Sequence, residues 1–180
     1  MPNPTLLISD PSLQDANFTR TVLLIAEHNT DGALGFVLNK KLKQKLNDLI
    51  EFSHATPLPL YYGGPVKLDT LHFIHTRPDI IPEGKLVIDN IYWGGNFNTA
   101  VMAINDNLIE PNQIKLFVGY SGWEANQLET EIAEGSWIPH QASTPITFAA
   151  NPTTLWKNTL LAMGGDYALL AHAPINPKLN

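Results

Sequence analysis

The sequence predicts a single-domain α+β protein, and three observations support this fold class. The chain has 180 residues, of which 44% are hydrophobic, so it suits one core rather than several domains or a disordered chain. Strand-like apolar runs and helical patterns alternate without a fixed period. An early hairpin and many short strands argue against a doubly wound parallel sheet. We therefore expect residues 1–180 to form one α+β domain.

The first elements are predicted to be strands. A short strand is expected at residues 5–9, before an Asp-Pro break. The run RTVLLIAEH is almost continuously apolar, which is typical of a strand buried on both faces. A strong turn signal, Asp-Gly at residues 31–32, separates it from a second apolar run. Residues 20–28 and 33–39 are therefore predicted to pair as a β-hairpin.

Residues 42–52 are predicted to form an amphipathic helix, because leucine and isoleucine recur at helical intervals. Four of the eleven basic residues lie on or beside it: Lys40, Lys41, Lys43 and Lys45. We interpret this cluster as the solvated outer face of the helix rather than a track for phosphates. A nucleic-acid binder using the cluster stays open as a further possibility.

The rest of the chain predicts interleaved strands and helices. Strands are expected at 60–66, 69–75, 85–95 (one or two), 113–120 and 136–139. Helices are expected at 96–106, 123–135 and 152–165. An asparagine caps the first of these helices, and Thr153 or Thr154 caps the last, which Gly164-Gly165 ends. The tail from residue 172 is expected to be irregular.

Composition and charge exclude several classes of function. The formal net charge is −6, and DNA affinity comes largely from neutralising phosphates, so direct DNA binding is not expected. The chain has no cysteine, which excludes disulfides, thiolate metal sites and thiol catalysis. No basic segment followed by a long apolar run occurs at its start, and no apolar run has the length of a membrane span. We expect a cytoplasmic protein without membrane contact.

Ser121 has two competing interpretations. It lies in Gly119-Tyr120-Ser121-Gly122-Trp123, between a predicted strand and a predicted helix, which resembles the nucleophile elbow of hydrolases. The second glycine comes one residue too early for that motif. Ser121 and Glu124 also have the spacing of a capping box, in which each side chain bonds the other's backbone N–H. We predict the helix cap.

Several ordered segments resemble the YqgE/AlgH family of bacterial proteins. They are LLISDPSLQDANFTRTVLLIAEHNTDGALGFVLNK, YYGGPV, LH, GYSGW, QLETEIAEGSW, LW and the closing NPKLN, spread over nearly the whole chain. The resemblance implies a branched, partly barrel-like β-sheet flanked by helices. It implies no established enzymatic activity, and its members are described as uncharacterised or as transcriptional regulators. The family commonly has alanine at the position of Ser121, which also favours the cap.

The chain departs from the family pattern in two places. Residues 124–127 read EANQ where the family usually has Gly-Pro-Gly-Gln, and residues 39–41 read NKK where it usually has Asn-Arg-Pro. If either place contacts a partner, that contact is altered in this protein.

The candidate binding residues lie at two glycine-rich turns. Large amphipathic side chains beside such turns can line a groove, although they can equally be core residues at strand ends, which we favour. The candidates are Tyr62, Gly63, Gly64, Tyr120, Ser121 and Trp123. The glycine pairs lack a dinucleotide or Walker fingerprint. His72 and His75 would face opposite sides of one strand, which is poor geometry for one metal ion.

These observations predict a non-enzymatic binding or regulatory module with a protein partner. Its effect on transcription is expected to be indirect, because the acidic balance disfavours DNA contact. We expect no cofactor, no bound metal ion and no catalytic residue. The alternative is a small-molecule binder or a hydrolase that uses the GYSGW segment.

Overall fold

The computed structural model describes residues 3–175. In that range the strands are β1 Leu6–Ser9, β2 Val22–Asn29, β3 Gly32–Val37, β4 Lys41–Lys45, β5 Pro59–Tyr62, β6 Val66–His75, β7 Lys85–Ile88, β8 Ile91–Trp93, β9 Ile114–Glu124 and β10 Trp137–His140. The helices of the same range are α1 Phe97–Asn105, α2 Gln127–Ala133, α3 Thr144–Thr147, α4 Leu155–Met163 and α5 Gly165–Leu170.

The sheet branches at β9, as the family resemblance implies. Its main path runs β10-β1-β2-β3-β9-β6-β8-β7, while β4 and β5 lie off this path. Residues 116–118 of β9 pair with β6 on one edge and with β5, in parallel, on the other. Residues 121–124 of β9 pair instead with β3. The α+β class and the branched sheet are therefore confirmed.

The sheet curls but does not close into a barrel. Lys85 on β7 forms an ion pair with Glu27 on β2, which brings strands from the two arms of the sheet together. Within residues 3–175, no ladder of backbone hydrogen bonds joins β7 to β2. In the same range no helix is long and apolar enough to cross a membrane.

Both faces of the sheet are packed. Alternate residues of β2 enter different clusters: Val22 and Leu24 pack with α4, whereas Leu23 and Ile25 pack with α2. A third cluster joins β5, β6 and β9 to α1. The predicted hairpin of β2 and β3, and the burial of β2 on both faces, are thereby confirmed.

The helix predicted over 42–52 is wrong. Residues 41–45 form β4, which pairs with β5, and two short 3-10 turns follow at 46–48 and 50–52. Leu46 is fully buried, whereas Ile50 is 93% exposed, so the apparent helical stripe has no common buried face. The lysine cluster therefore lies along an edge strand, not on a helix.

The strand predicted at 113–120 is longer than expected. It continues through the GYSGW segment to Glu124, and α2 begins only at Gln127. Pairing with β3, which is distant in sequence, extends it. The helix predicted from residue 123 therefore starts late.

The other helix predictions hold in part. Helix α1 begins after Asn96, whose side chain accepts from the Thr99 N–H as predicted. Helix α4 ends before Gly164, which has the positive φ of 71° expected at a helix end. Its cap is not a threonine side chain, because Thr154 makes no capping bond. The short helix α5 was not expected from the sequence.

Candidate functional site

The two glycine-rich segments meet at the branch of the sheet. The Gly63 N–H donates to the Val118 carbonyl at 2.9 Å. The Gly63 carbonyl accepts from the Val37 N–H at 2.9 Å and from the Ser121 Oγ at 3.1 Å. One residue thus links β3, β5 and β9, and we call this contact the sheet junction (Gly63, Gly64 and 119–121).

The glycines of the sheet junction are required by close backbone approach. A Cβ at Gly63 would collide with the Gly119 carbonyl oxygen, and one at Gly64 would collide with Ser121 Oγ and the Tyr120 backbone. Gly119 has a φ of 68°, which favours glycine. Gly63 and Gly64 therefore have a structural role at the sheet junction, and their predicted binding role stays a prediction.

Ser121 is neither a cap nor a nucleophile placed for attack. It is fully buried in the middle of β9, and its hydroxyl donates to Gly63. The helix that follows is preceded by Asn126, which makes no side-chain capping bond, so the predicted capping box is wrong. Within residues 3–175, no histidine bonds the Ser121 hydroxyl, so the Ser–His pair of an activated nucleophile is not formed there.

Tyr120 and Trp123 line an open cleft of 500 Å³ beside the sheet junction. Val66 and Leu34 supply its apolar side, and the exposed Gly122 lies between the two aromatic residues. We call this the Tyr120–Trp123 cleft. Tyr62 does not line it, because its hydroxyl donates to Asn17 at 2.9 Å on another surface. The structure therefore brings together two of the three predicted aromatic residues.

The Tyr120–Trp123 cleft is acidic. Carboxylates from three elements or turns line it, and the described lining contains no lysine or arginine. Glu27 is paired with Lys85, whereas Asp31 and Glu124 are exposed at the rim. Such a lining favours a positively charged ligand.

Glu131 lies in a neighbouring pocket, which shares Gly122 and Trp123 with this cleft, and it holds the Trp123 ring. One of its carboxylate oxygens accepts from both indole N–H groups, from Trp123 at 2.8 Å and from Trp137 at 2.9 Å. The other accepts from Gln127 at 3.0 Å. The sequence pattern predicts only that the Glu131 carboxylate is solvated on α2. Helical spacing gives no sign of its contacts with Trp123 and Trp137.

The histidines of β6 lie in different surroundings. His72 packs on Phe36 and Tyr120, with ring centroids 5.4 and 5.7 Å away. His75 is fully buried, stacks on Tyr92 and bonds the Gly94 carbonyl at 3.0 Å. Burial lowers the pKa of both rings. In residues 3–175, no group of three or more His, Asp or Glu side chains is arranged to hold a metal ion.

Lys115 is a buried base that no motif in the sequence singles out. It lies in the apolar strand run IKLFV and is only 5% exposed. The signal for it in the sequence is a single positive charge within the otherwise apolar run of residues 114–118.

Comparisons with known proteins agree over nearly the whole chain. The model of a family described as AlgH-like matches residues 6–168. A UPF0301 protein of Chlorobaculum parvum is 41% identical over 175 residues, which cover 97% of this chain and 94% of the relative. A UPF0301 protein of Cytophaga hutchinsonii is 40% identical over 177 residues, covering 97% of each chain.

Solved structures share the fold. The solution structure of the AlgH protein from Pseudomonas aeruginosa has a TM-score of 0.73 and 27% identity, covering 98% of this chain and 97% of that one. A crystal structure from Corynebacterium diphtheriae has a TM-score of 0.76 at 20% identity, covering 96% and 93% of the two chains, and indicates the fold alone. Family match, relatives and fold together show that this chain is a member of the YqgE/AlgH family.

Proposed function

We propose that this protein is a non-catalytic binding module that docks a basic segment of a partner protein in the Tyr120–Trp123 cleft. The observation that supports the proposal is the combination of the partly exposed Tyr120 with exposed carboxylates in one open cleft of 500 Å³. We further propose that the module acts in the cytoplasm and that any effect on transcription is exerted through this partner.

The chemistry of the cleft favours a protein segment. Tyrosine is a frequent anchor of protein interfaces, and Tyr120 is partly exposed at the cleft. Asp31 and Glu124 at the rim would pair with lysine or arginine and steer the partner during association. Glu124 stands where the family usually has glycine, so we propose that this charge adjusts partner choice in this protein.

Duplex DNA is disfavoured by the same charges. A net charge of −6 repels phosphates, and the acidic cleft adds to that repulsion. In a fluorescence-anisotropy titration at low salt, we expect weak binding that does not depend on duplex sequence. Tight, salt-sensitive binding to one duplex would contradict the indirect role.

The hydrolase alternative receives no support from the position of Ser121. Its hydroxyl is fully buried and donates to a carbonyl of the sheet junction. The proposal therefore contains no covalent step.

Site-specific crosslinking tests the docking proposal. Gly122 is exposed, and a Cβ there would meet only the Tyr120 ring at an ordinary 3.5 Å, so a photoreactive phenylalanine can be placed at this position. Met102, which is 64% exposed on α1, provides a control position away from the cleft. Crosslinked proteins from the host are identified by mass spectrometry, and the crosslinked peptide is mapped.

We expect position 122 to capture a protein through a segment of net positive charge, and position 102 not to capture it. The Asp31→Lys/Glu124→Lys double variant should lose this crosslink, whereas Glu134→Lys, at the residue directly after α2, should keep it. Equal capture from both positions, a captured segment without positive charge, or an unchanged crosslink in the double variant would overturn the proposal.

A further inference from the structure

A second cavity lies at the other end of β9, beside residues 114–116. It has a volume of 240 Å³ and is formed by β4, β5, β9 and the segments around residues 111 and 149. Its walls are mainly apolar, with Leu58, Ile114 and Phe148 among them. A cavity of ~150 Å³ can hold a benzene ring, so this one has room for a small organic molecule. It shares no lining residue with the Tyr120–Trp123 cleft.

Lys115 lies in this cavity with little compensation for its burial. Its Nζ is 4.2 Å from the centroid of the Tyr61 ring and donates to the Thr147 carbonyl at 3.4 Å. N–H···O hydrogen bonds are usually ~2.7–3.2 Å long, so this one is weak. Among residues 3–175, no carboxylate lies within ion-pair distance of Lys115.

A purely structural role does not explain why a lysine is buried at position 115. The Thr147 carbonyl ends the four-residue helix α3, and a lysine near a helix end can bond such a carbonyl. One long bond and a contact with the Tyr61 ring leave the ammonium group without an anionic partner, and an apolar side chain would fill the space at less cost. The Thr147 Oγ1 beside it is buried and lacks a hydrogen-bond partner. The Lys115 ammonium is thus left without an anionic partner in the cavity.

We propose that this cavity binds a small carboxylate with an apolar body. The Lys115 ammonium, which lines the cavity, would pair with the carboxylate. Lys41, which is exposed at the rim, would attract the anion, and no acidic residue lines the described cavity. The apolar body would pack against Leu58, Ile114 and Phe148.

Binding of such an anion changes the number of protons bound to the protein. Burial lowers the pKa of Lys115 to about 7, so this amine is partly neutral near neutral pH. The titratable neighbours in the cavity lining are Tyr61, whose pKa burial raises, and Lys41. A bound carboxylate stabilises the charged amine, so the complex takes up protons from solution when it forms above pH ~7.

Isothermal titration calorimetry with hexanoate and benzoate tests the proposal, with hexanamide and benzamide as neutral analogues. Lys115→Met replaces the ammonium with an apolar chain of similar length. Lys43→Met is the matched control, because Lys43 is exposed on β4 and does not line the cavity. We expect at least one acid to bind at least about tenfold more tightly than its amide. Lys115→Met should weaken the binding of that acid at least about tenfold, and Lys43→Met should leave its affinity unchanged.

Repeating the titration of the wild-type protein in two buffers of different ionisation enthalpy measures proton uptake without any variant. Uptake above pH ~7 supports pairing with Lys115. Equal affinity for acid and amide, no effect of Lys115→Met, no proton uptake, or no binding of either acid at about 10 mM would each overturn the proposal.

Discussion

At the scale of single residues, the sheet junction explains why the GYSGW segment resembles a reactive serine motif. A nucleophile elbow and the sheet junction both need glycines, because a side chain there would prevent close contact. In this protein the close contact is between two strands and not between the backbone and a substrate. The buried Ser121 hydroxyl supplies a second donor to the Gly63 carbonyl, which already accepts from Val37. Local sequence does not distinguish the two cases, because the partner residue is distant in the chain.

Ser121→Ala should be mildly destabilising. The Gly63 carbonyl keeps its bond from the Val37 N–H, so no buried acceptor loses its only partner. We expect a loss of about 0.5–1.5 kcal/mol in the free energy of unfolding, measured by urea denaturation. A fluorophosphonate probe should fail to label the wild-type protein. Labelling that disappears in Ser121→Ala would instead identify a nucleophile.

Gly64→Ala should be far more damaging than Gly122→Ala. Gly64 has a φ of 153°, and an added Cβ would meet the Tyr120 backbone, which cannot move aside easily. We expect a loss of about 3 kcal/mol or more for Gly64→Ala. Gly122→Ala should change the free energy of unfolding by less than about 1 kcal/mol, because its Cβ has ordinary contacts. Similar urea midpoints for the two variants would contradict the packing described at the junction.

At the scale of elements, the sequence predicts correctly those elements that are held by contacts between residues near each other in the chain. It misses those that depend on residues far apart in the chain. Helix α1 is predictable because its cap joins Asn96 to Thr99, three positions away. Strand β4 is not, because pairing with β5 overrides a leucine pattern that looks helical. The end of β9 is missed for the same reason, since β3 supplies its partner. The cleft is partly predictable from its aromatics, whereas Lys115 and Thr147 meet only through the tertiary fold.

Helix α2 is attached to the sheet through Glu131. Removing its carboxylate in Glu131→Ala leaves two indole N–H groups without their acceptor. We expect a loss of about 1–3 kcal/mol in the free energy of unfolding and a red shift of tryptophan fluorescence. Glu134→Ala, on the exposed side of the same helix end, should cost less than about 0.5 kcal/mol. Equal losses would show that Glu131 does not anchor the helix.

At the scale of the whole molecule, buried bases give the protein a stability that increases with pH. Burial lowers the pKa of Lys115 to about 7 and also lowers the pKa values of His72 and His75. In an unfolded chain, lysine and histidine titrate near ~10.4 and ~6.5. The unfolded chain therefore binds more protons below pH ~6.5, from the histidines, and between pH ~7 and ~10.4, from Lys115. The free energy of unfolding accordingly falls on acidification in both windows.

The Lys115→Met variant shows how much Lys115 contributes to the pH dependence of stability between pH ~7 and ~10.4. The variant lacks the cost of a charged amine in the cavity, so it should be more stable than the wild type near pH 7. Its advantage should shrink by roughly 2 kcal/mol between about pH 7 and about pH 9, as the folded wild type holds the neutral amine. Urea unfolding at both pH values measures the change, with Lys43→Met as the exposed control. Parallel behaviour of wild type and Lys115→Met would show that Lys115 titrates normally.

The branching of the sheet also has a kinetic consequence. Gly63 and Ser121 are 58 positions apart, so joining them closes a long loop. The chain loses conformational entropy on closing this loop before the contacts of the junction stabilise it. The hairpin of β2 and β3 closes over a few residues and can form early. We therefore expect β5 and β9 to pair at the sheet junction late in refolding, and the assembly of this central branch to be the slowest step.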